Sequence, residues 1–206
     1  MDVARPYTAI CPTLSGEVLR VLAGTTRGLT GREVARLTGR SSHSGVLDVL
    51  NRLTEHGLVE RVELNRAFLF ALNREHLAAP VVEALAGLRA ELFDRIARAL
   101  DAWPVAPVHV SLFGSAARGD GDTQSDIDLF VVRPTAIAEE DPRWREQLAE
   151  LASSVERWTG NRAAILEASE TELTQLAEDE RPIVAQLRAD AIILRGLDAS
   201  SLFGEG

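Results

Sequence analysis

Residues 108–132, VHVSLFGSAARGDGDTQSDIDLFVV, constrain the fold of this chain more than any other stretch. VHVSLF alternates and then turns apolar, the pattern of a buried strand. Small residues follow in GSAARGDG, and SDIDLFVV reads as a second strand that opens on two carboxylates. Asp126 and Asp128 stand two apart, so on a strand their side chains leave the same face. Side-by-side carboxylates repel, and burying them is costly unless a cation lies between them. Such oxygen ligands suit Mg2+. Gly114 lets the backbone approach a ligand closely. Its amide, the Ser115 amide and the Ser115 hydroxyl are the groups that hold phosphate oxygens in such turns. A phosphate cradle beside a metal-binding carboxylate pair is what nucleotidyl transfer requires. There the metal neutralises the triphosphate, polarises the α-phosphorus and activates the attacking hydroxyl.

The pattern Gly-Ser, nine residues, Ser-Asp-x-Asp resembles the nucleotidyltransferase superfamily of DNA polymerase beta. Within it, GSAARGD…SDIDL is most similar to the minimal nucleotidyltransferases of bacteria and archaea. The resemblance implies that Gly114 and Ser115 bind the nucleotide phosphates and that Asp126 and Asp128 bind Mg2+. Arg118 falls at the family's usual Arg, which contacts the triphosphate; the alternative is a loop ion pair with Asp120 or Asp122. Ser125 is grouped with the nucleotide-binding residues, although its place suits a turn cap. Active members carry a third carboxylate on the strand occupied here by Arg162 to Glu167, and Ala163 or Ala164 stands at that place. Glu167 is the nearest acid and completes the candidate catalytic set with Asp126 and Asp128. It shares an alternating face with Ala163 and Ile165. Loss of the third acid spares nucleotide binding more than turnover. Minimal members often act as antitoxins that modify a partner toxin, so a toxin protein is an expected partner and ATP the expected nucleotide.

Beyond the Asp pair, the pattern predicts a helix over DPRWREQLAELASSVERWTG, a strand over NRAAILEAS, two short helices around Arg181-Pro182 and a last strand over AIILRG. This completes a small mixed sheet with helices on one side. Trp144 and Trp158 are expected to anchor the first of these helices in the core.

The N-terminal part has a different design. Thr13–Ala23 places Leu14, Val18, Val21 and Leu22 on one helical face. Thr30 and Glu33 have the spacing of a capping box at the start of TGREVARLTG. SGVLDVLNRLTEHG is a third helix, and two strand-like runs flank Asn65-Arg66, a tight-turn dipeptide. Helix, helix, turn, helix and hairpin is the order of a winged helix-turn-helix, and residues 13–76 resemble bacterial winged-helix regulators. The resemblance implies that the third helix enters the major groove of duplex DNA. Arg40, Ser41, Ser42, His43 and Ser44 would lie at its N-terminal end, Arg52 on its outer face and Arg66 at the hairpin tip. Use of the same unit for protein contact is the alternative, and Asp48 and Glu55 on the outer face do not favour DNA. His43, His56 and His76 are too scattered to form a metal site.

Between the two parts, Leu77–Trp103 carries Val82, Leu85, Leu88, Leu92, Ile96 and Leu100 at helical spacings. One amphipathic connecting helix is expected, its stripe covering a domain or forming a homodimer seam. The expected organisation is therefore α+β: a winged helix-turn-helix domain over 1–79, a connecting helix over 80–103 and a polymerase-beta-like nucleotidyltransferase domain with a mixed sheet over 104–206.

Charge divides along the same line. Residues 1–76 hold ten Arg against eight acids, and residues 77–206 hold twelve against twenty-three, so nets of +2 and −11 make the total of −9. That total argues against nonspecific nucleic-acid binding by the whole surface and leaves room for a basic face on the N-terminal part. Cys11 is the sole cysteine, which excludes an intramolecular disulfide. No apolar run spans a membrane and MDVARPYTAICPTLSG lacks the features of a secretion signal, so a cytoplasmic protein is expected. Two functions fit these features. One is a DNA-binding enzyme that takes NTP–Mg and transfers NMP to a protein or RNA hydroxyl, in the manner of an antitoxin. The other is a catalytically weak transcriptional regulator whose second domain senses nucleotide.

Overall fold

A computed structural model describes residues 1–39, 42–65, 67–178, 182–197 and 202. The chain forms two compact units, Pro6–Leu88 and a second made of Met1–Arg5 with Arg89–Gly206. Among the described residues no helix is long and apolar enough to cross a membrane.

In the first unit, α1 (Leu14–Ala23) is followed by β1 (Leu29–Thr30), α2 (Gly31–Thr38), α3 (His43–Glu55), β2 (Val59–Leu64), β3 (Ala67–Leu72) and α4 (Ala79–Ala86). The expected capping box forms: Glu33 N donates to Thr30 Oγ1 at 3.2 Å and Thr30 N donates to Glu33 Oε2 at 2.7 Å. Ser42 caps α3 by accepting from Gly45 N. The hairpin pairs Val59 with Leu72 through Leu64 with Ala67, and Asn65 takes φ +51°, a left-handed conformation that Asn tolerates. β1, absent from the sequence reading, pairs with β3 and makes the sheet order β1-β3-β2. Val18, Leu22, Val34, Val46, Leu50 and Phe70 form the core.

The expected single connecting helix is two. α4 ends at Gly87, and α5 (Leu88–Asp101) begins directly after it. Val82 packs in the first unit's core, whereas Leu92, Ile96 and Leu100 pack in the second's. One continuous apolar stripe thus serves two cores, and the break falls at Gly87, a weak helix former.

The second unit continues with β4 (His109–Phe113), α6 (Gly114–Arg118), β5 (Ile127–Arg133), α7 (Pro142–Thr159), β6 (Ala163–Ser169), α8 (Glu170–Glu178), α9 (Pro182–Asp190) and β7 (Ile192–Gly196). The sheet order is β6-β5-β4-β7, with β5 and β6 parallel and the other pairs antiparallel, a mixed sheet as expected. Its coverage differs from the expectation of helices on one side. Leu92, Ile96 and Leu100 of α5 and Trp144, Leu151 and Val155 of α7 pack with Val110, Leu112, Leu129 and Val131. Leu173 of α8 and Val184 and Leu187 of α9 pack with Phe130, Val132 and Ala168 on the opposite face. Both faces are buried because β5 is apolar on both, reading buried at every position from Leu129 to Arg133. Trp144 is fully buried and meets Trp103 edge-on at 5.6 Å, while Trp158 is partly buried against the same core.

Candidate active site

The site forms where β4 ends and β5 begins. Phe113 and Asp128 are direct partners across the antiparallel pair, so the turn after β4 lies over the start of β5. Gly114 has φ +66°, and a Cβ placed there would collide with the Asp128 carboxylate. Glycine is required at this position for both reasons. α6 then makes a single turn and closes at Gly119, φ +77°. The amides of Gly119, Asp120 and Gly121 all converge on the Ser115 carbonyl.

Asp126 is exposed and Asp128 half-buried. Burial pushes the Asp128 carboxyl above its ordinary value and the Asp126 charge pushes it the same way; Arg118 opposes both. The structure thus brings together Gly114, Ser115 and the Asp126–Asp128 pair. Among the described residues no group of three His, Cys, Asp or Glu side chains could hold a metal ion, so the pair stands without a third acid.

The parallel register explains this. Asp128 lies opposite Ala164, and Ile127 opposite Ala163. Partners across a ladder share a face, so Ala164 occupies the place beside Asp128 and Ala163 faces the other way. Glu167 pairs with Val131 and points to the face opposite Asp128. It lies three residues further along β6, about 10 Å at ~3.3 Å per residue. Its Oε1 accepts from Arg133 Nε at 2.7 Å and from Trp144 Nε1 at 2.8 Å. The assignment of Glu167 to the catalytic set is therefore corrected: it neutralises a buried arginine on the α7 side of the sheet.

Arg118 Nε pairs with Asp120 at 3.1 Å and its Nη1 with Asp190 at 3.2 Å. The first of the two alternatives for Arg118 is compatible with this only if phosphate displaces these acids. Ser125 donates to Asp122 Oδ1 at 3.0 Å and accepts from Asp122 N at 2.9 Å, so its hydroxyl closes the turn before the Asp pair. Sequence reasoning missed Asn161. It is buried, and its Nδ2 donates to the Ser125 carbonyl at 2.9 Å, holding the strand entry that carries Asp126. A lone Asn before a strand gives no pattern by which to find it.

Residues 94–183 match the family model of the nucleotidyltransferase domain. The matched segment includes β4 to α8, with Gly114, Ser115, Asp126 and Asp128. One solved structure is similar, a crystal structure of a toxin-antitoxin with AMP-PNP, at 20% identity and a TM-score of 0.36, over 54% of this chain and 80% of that one. No curated protein matches significantly.

In the first unit, an open groove between α3 and the hairpin is lined by Arg32, His43, Leu47, Asn51, Arg61 and Phe68. Arg61 lies over the Phe68 ring at 4.8 Å. Ser42, His43 and Ser44 are exposed at the start of α3, but only His43 lines the groove. Arg52 is turned away from the groove and donates to Ser15 on α1. Arg40, Ser41 and Arg66 lie outside the described residues. Arg32 and Arg61 escaped the sequence reading because their convergence depends on how the hairpin folds back on α3.

Proposed function

We propose that the nucleotidyltransferase segment binds a nucleoside triphosphate, ATP first, with Mg2+, through Gly114, Ser115, Asp126 and Asp128, and transfers NMP to a protein or RNA hydroxyl. The observation that supports this best is the packing of the Asp128 carboxylate on the Cα of Gly114, with Asp126 next to it. The residues fit a divalent cation: burial and a neighbouring charge penalise the Asp128 carboxylate, and a cation offsets both. When bound, Mg2+ would offset phosphate charge and polarise the α-phosphorus. Gly114 leaves to the Asp128 carboxylate the space that a Cβ would fill. Arg118 exchanges its two acids for phosphate. A toxin-type protein acceptor enters through the likeness of GSAARGD…SDIDL to minimal nucleotidyltransferases.

A second reading, a regulator that senses nucleotide without turning it over, is favoured by one observation. Ala164 stands where an acid would share the Asp128 face, and Glu167 is committed elsewhere. For the first unit we infer a winged helix-turn-helix that binds duplex DNA, supported by the order α1-β1-α2-α3-β2-β3 and by the arginines of the groove.

Calorimetric titration of the full chain with ATP, GTP, CTP and UTP in Mg2+ tests nucleotide binding. Binding lost in Asp126→Asn with Asp128→Asn supports the site, and affinity unchanged in the double variant sinks it. Incorporation of α-labelled nucleotide separates the transferase from the sensor.

A further inference from the structure

The turn that carries Gly114 and Ser115 has an incomplete set of backbone partners. α6 is five residues long, and the three amides that follow it, those of Gly119, Asp120 and Gly121, all bond to the Ser115 carbonyl. In a continuing helix the amides of residues 120 and 121 would serve the carbonyls of Ala116 and Ala117. Here those two carbonyls lose their backbone donors, and both alanines are buried. Buried carbonyls need a partner.

The partner comes from a distant segment. Arg89, in the first turn of α5, donates from Nη2 to Ala116 O at 3.0 Å and to Ala117 O at 2.9 Å. Its guanidinium lies 5.5 Å from the Phe93 ring one helical turn on. Its Nη1 lies 3.4 Å from where a Gly119 Cβ would be. The Arg89 Nε is buried with no partner among the described residues. The side chain thus leaves one of its own donors unsatisfied while it serves the turn's carbonyls, an arrangement that calls for an explanation.

We propose that Arg89 is a positioning residue for the nucleotide phosphates, resting on the nucleotide-binding reading above. A peptide's C=O and N–H point in opposite directions. The amides of Ala117 and Arg118 bond back within α6 to the carbonyls of Phe113 and Gly114, so holding the carbonyls of the same two peptides fixes the turn and, with it, the free amides of Gly114 and Ser115 that meet the phosphates in the reading above. It also places a fixed cation behind the cradle. Arg89 touches neither nucleotide nor metal and acts only through the turn.

The test is calorimetric titration of the full chain with ATP and with AMP in Mg2+, for wild type, Arg89→Met and Arg89→Lys. Arg89→Met keeps the stem on Phe93 and removes every donor. The expected result is ATP binding weakened about ten-fold, with less loss for AMP, because only the phosphate end depends on the turn. Arg89→Lys, which keeps the charge but not the planar fork, should fall between the two. ATP affinity unchanged in folded Arg89→Met overturns the proposal, as does equal weakening of ATP and AMP, which marks a general loosening. If Arg89→Met does not fold, Arg89→Lys decides, and ATP affinity equal to wild type overturns it. A wild type that binds no ATP fails the nucleotide-binding reading itself, a result distinct from binding that ignores Arg89.

Discussion

Removing the carboxylate of Glu167 should damage the fold and leave the nucleotide site alone. Its Oε1 serves two donors, Arg133 Nε at 2.7 Å and Trp144 Nε1 at 2.8 Å, and the side chains of Arg133 and Glu167 are 9% and 21% exposed. Truncating one partner of a buried ion pair costs about 3–5 kcal/mol, because the other charge stays behind. Arg133 retains the Ile137 carbonyl and a longer contact with Glu172 at 3.9 Å, so the low end applies to Glu167→Ala. The indole N–H of the fully buried Trp144 would also lose its acceptor. A loss of about 3 kcal/mol in a chain of this size lowers Tm by roughly 6–12 °C. Glu167→Gln keeps an oxygen that can accept from both donors and loses only the charge. Charge-assisted bonds are roughly twice as strong as neutral ones, so its cost should be about half that of Glu167→Ala. Thermal and urea unfolding followed by circular dichroism would measure both, and calorimetry in parallel should show unchanged ATP–Mg affinity. A Glu167→Ala protein as stable as wild type would refute the ion-pair argument. A folded variant with much weaker nucleotide binding would return Glu167 to the site.

Three further outcomes are expected. Asp128→Asn should stabilise the metal-free protein at neutral pH: the folded carboxyl is raised, so its penalty is absent below the unfolded pKa of about 3.9 and grows as pH rises through the folded value. Equal stability of variant and wild type at pH 7 would contradict this. Ala164→Asp should raise α-labelled nucleotide incorporation by up to about 10²–10⁴-fold, the usual worth of a general base, whereas Ala163→Asp, aimed at the apolar face of Ile127 and Ile165, should destabilise the unit without that gain. Arg32→Ala and Arg61→Ala should each lower the salt slope of duplex-DNA binding by about 0.9, and Arg52→Ala should not. Electrophoretic titrations at several salt concentrations would reverse that assignment if Arg52 alone mattered.

Local chemistry was legible in the chain itself. The Thr30–Glu33 capping box and the hairpin that turns at Asn65 each depend on residues a few positions apart, and their preferences needed no help from the rest of the molecule. Alternation alone also put Glu167 on one face with Ala163 and Ile165. What alternation could not provide was the register between β5 and β6, which sets Ala164 rather than Ala163 beside Asp128. Register depends on how two distant strands bury their faces together, so it is a property of the packed sheet. The break of the connecting helix at Gly87 has the same origin, since neither core alone claims the whole stripe. So does the cover of α8 and α9 on the second face of the sheet. Asn161 reaches Ser125 across 36 residues and Arg89 reaches Ala116 across 27. Neither partner can be read along the chain, because each bond joins segments that only the folded structure brings together.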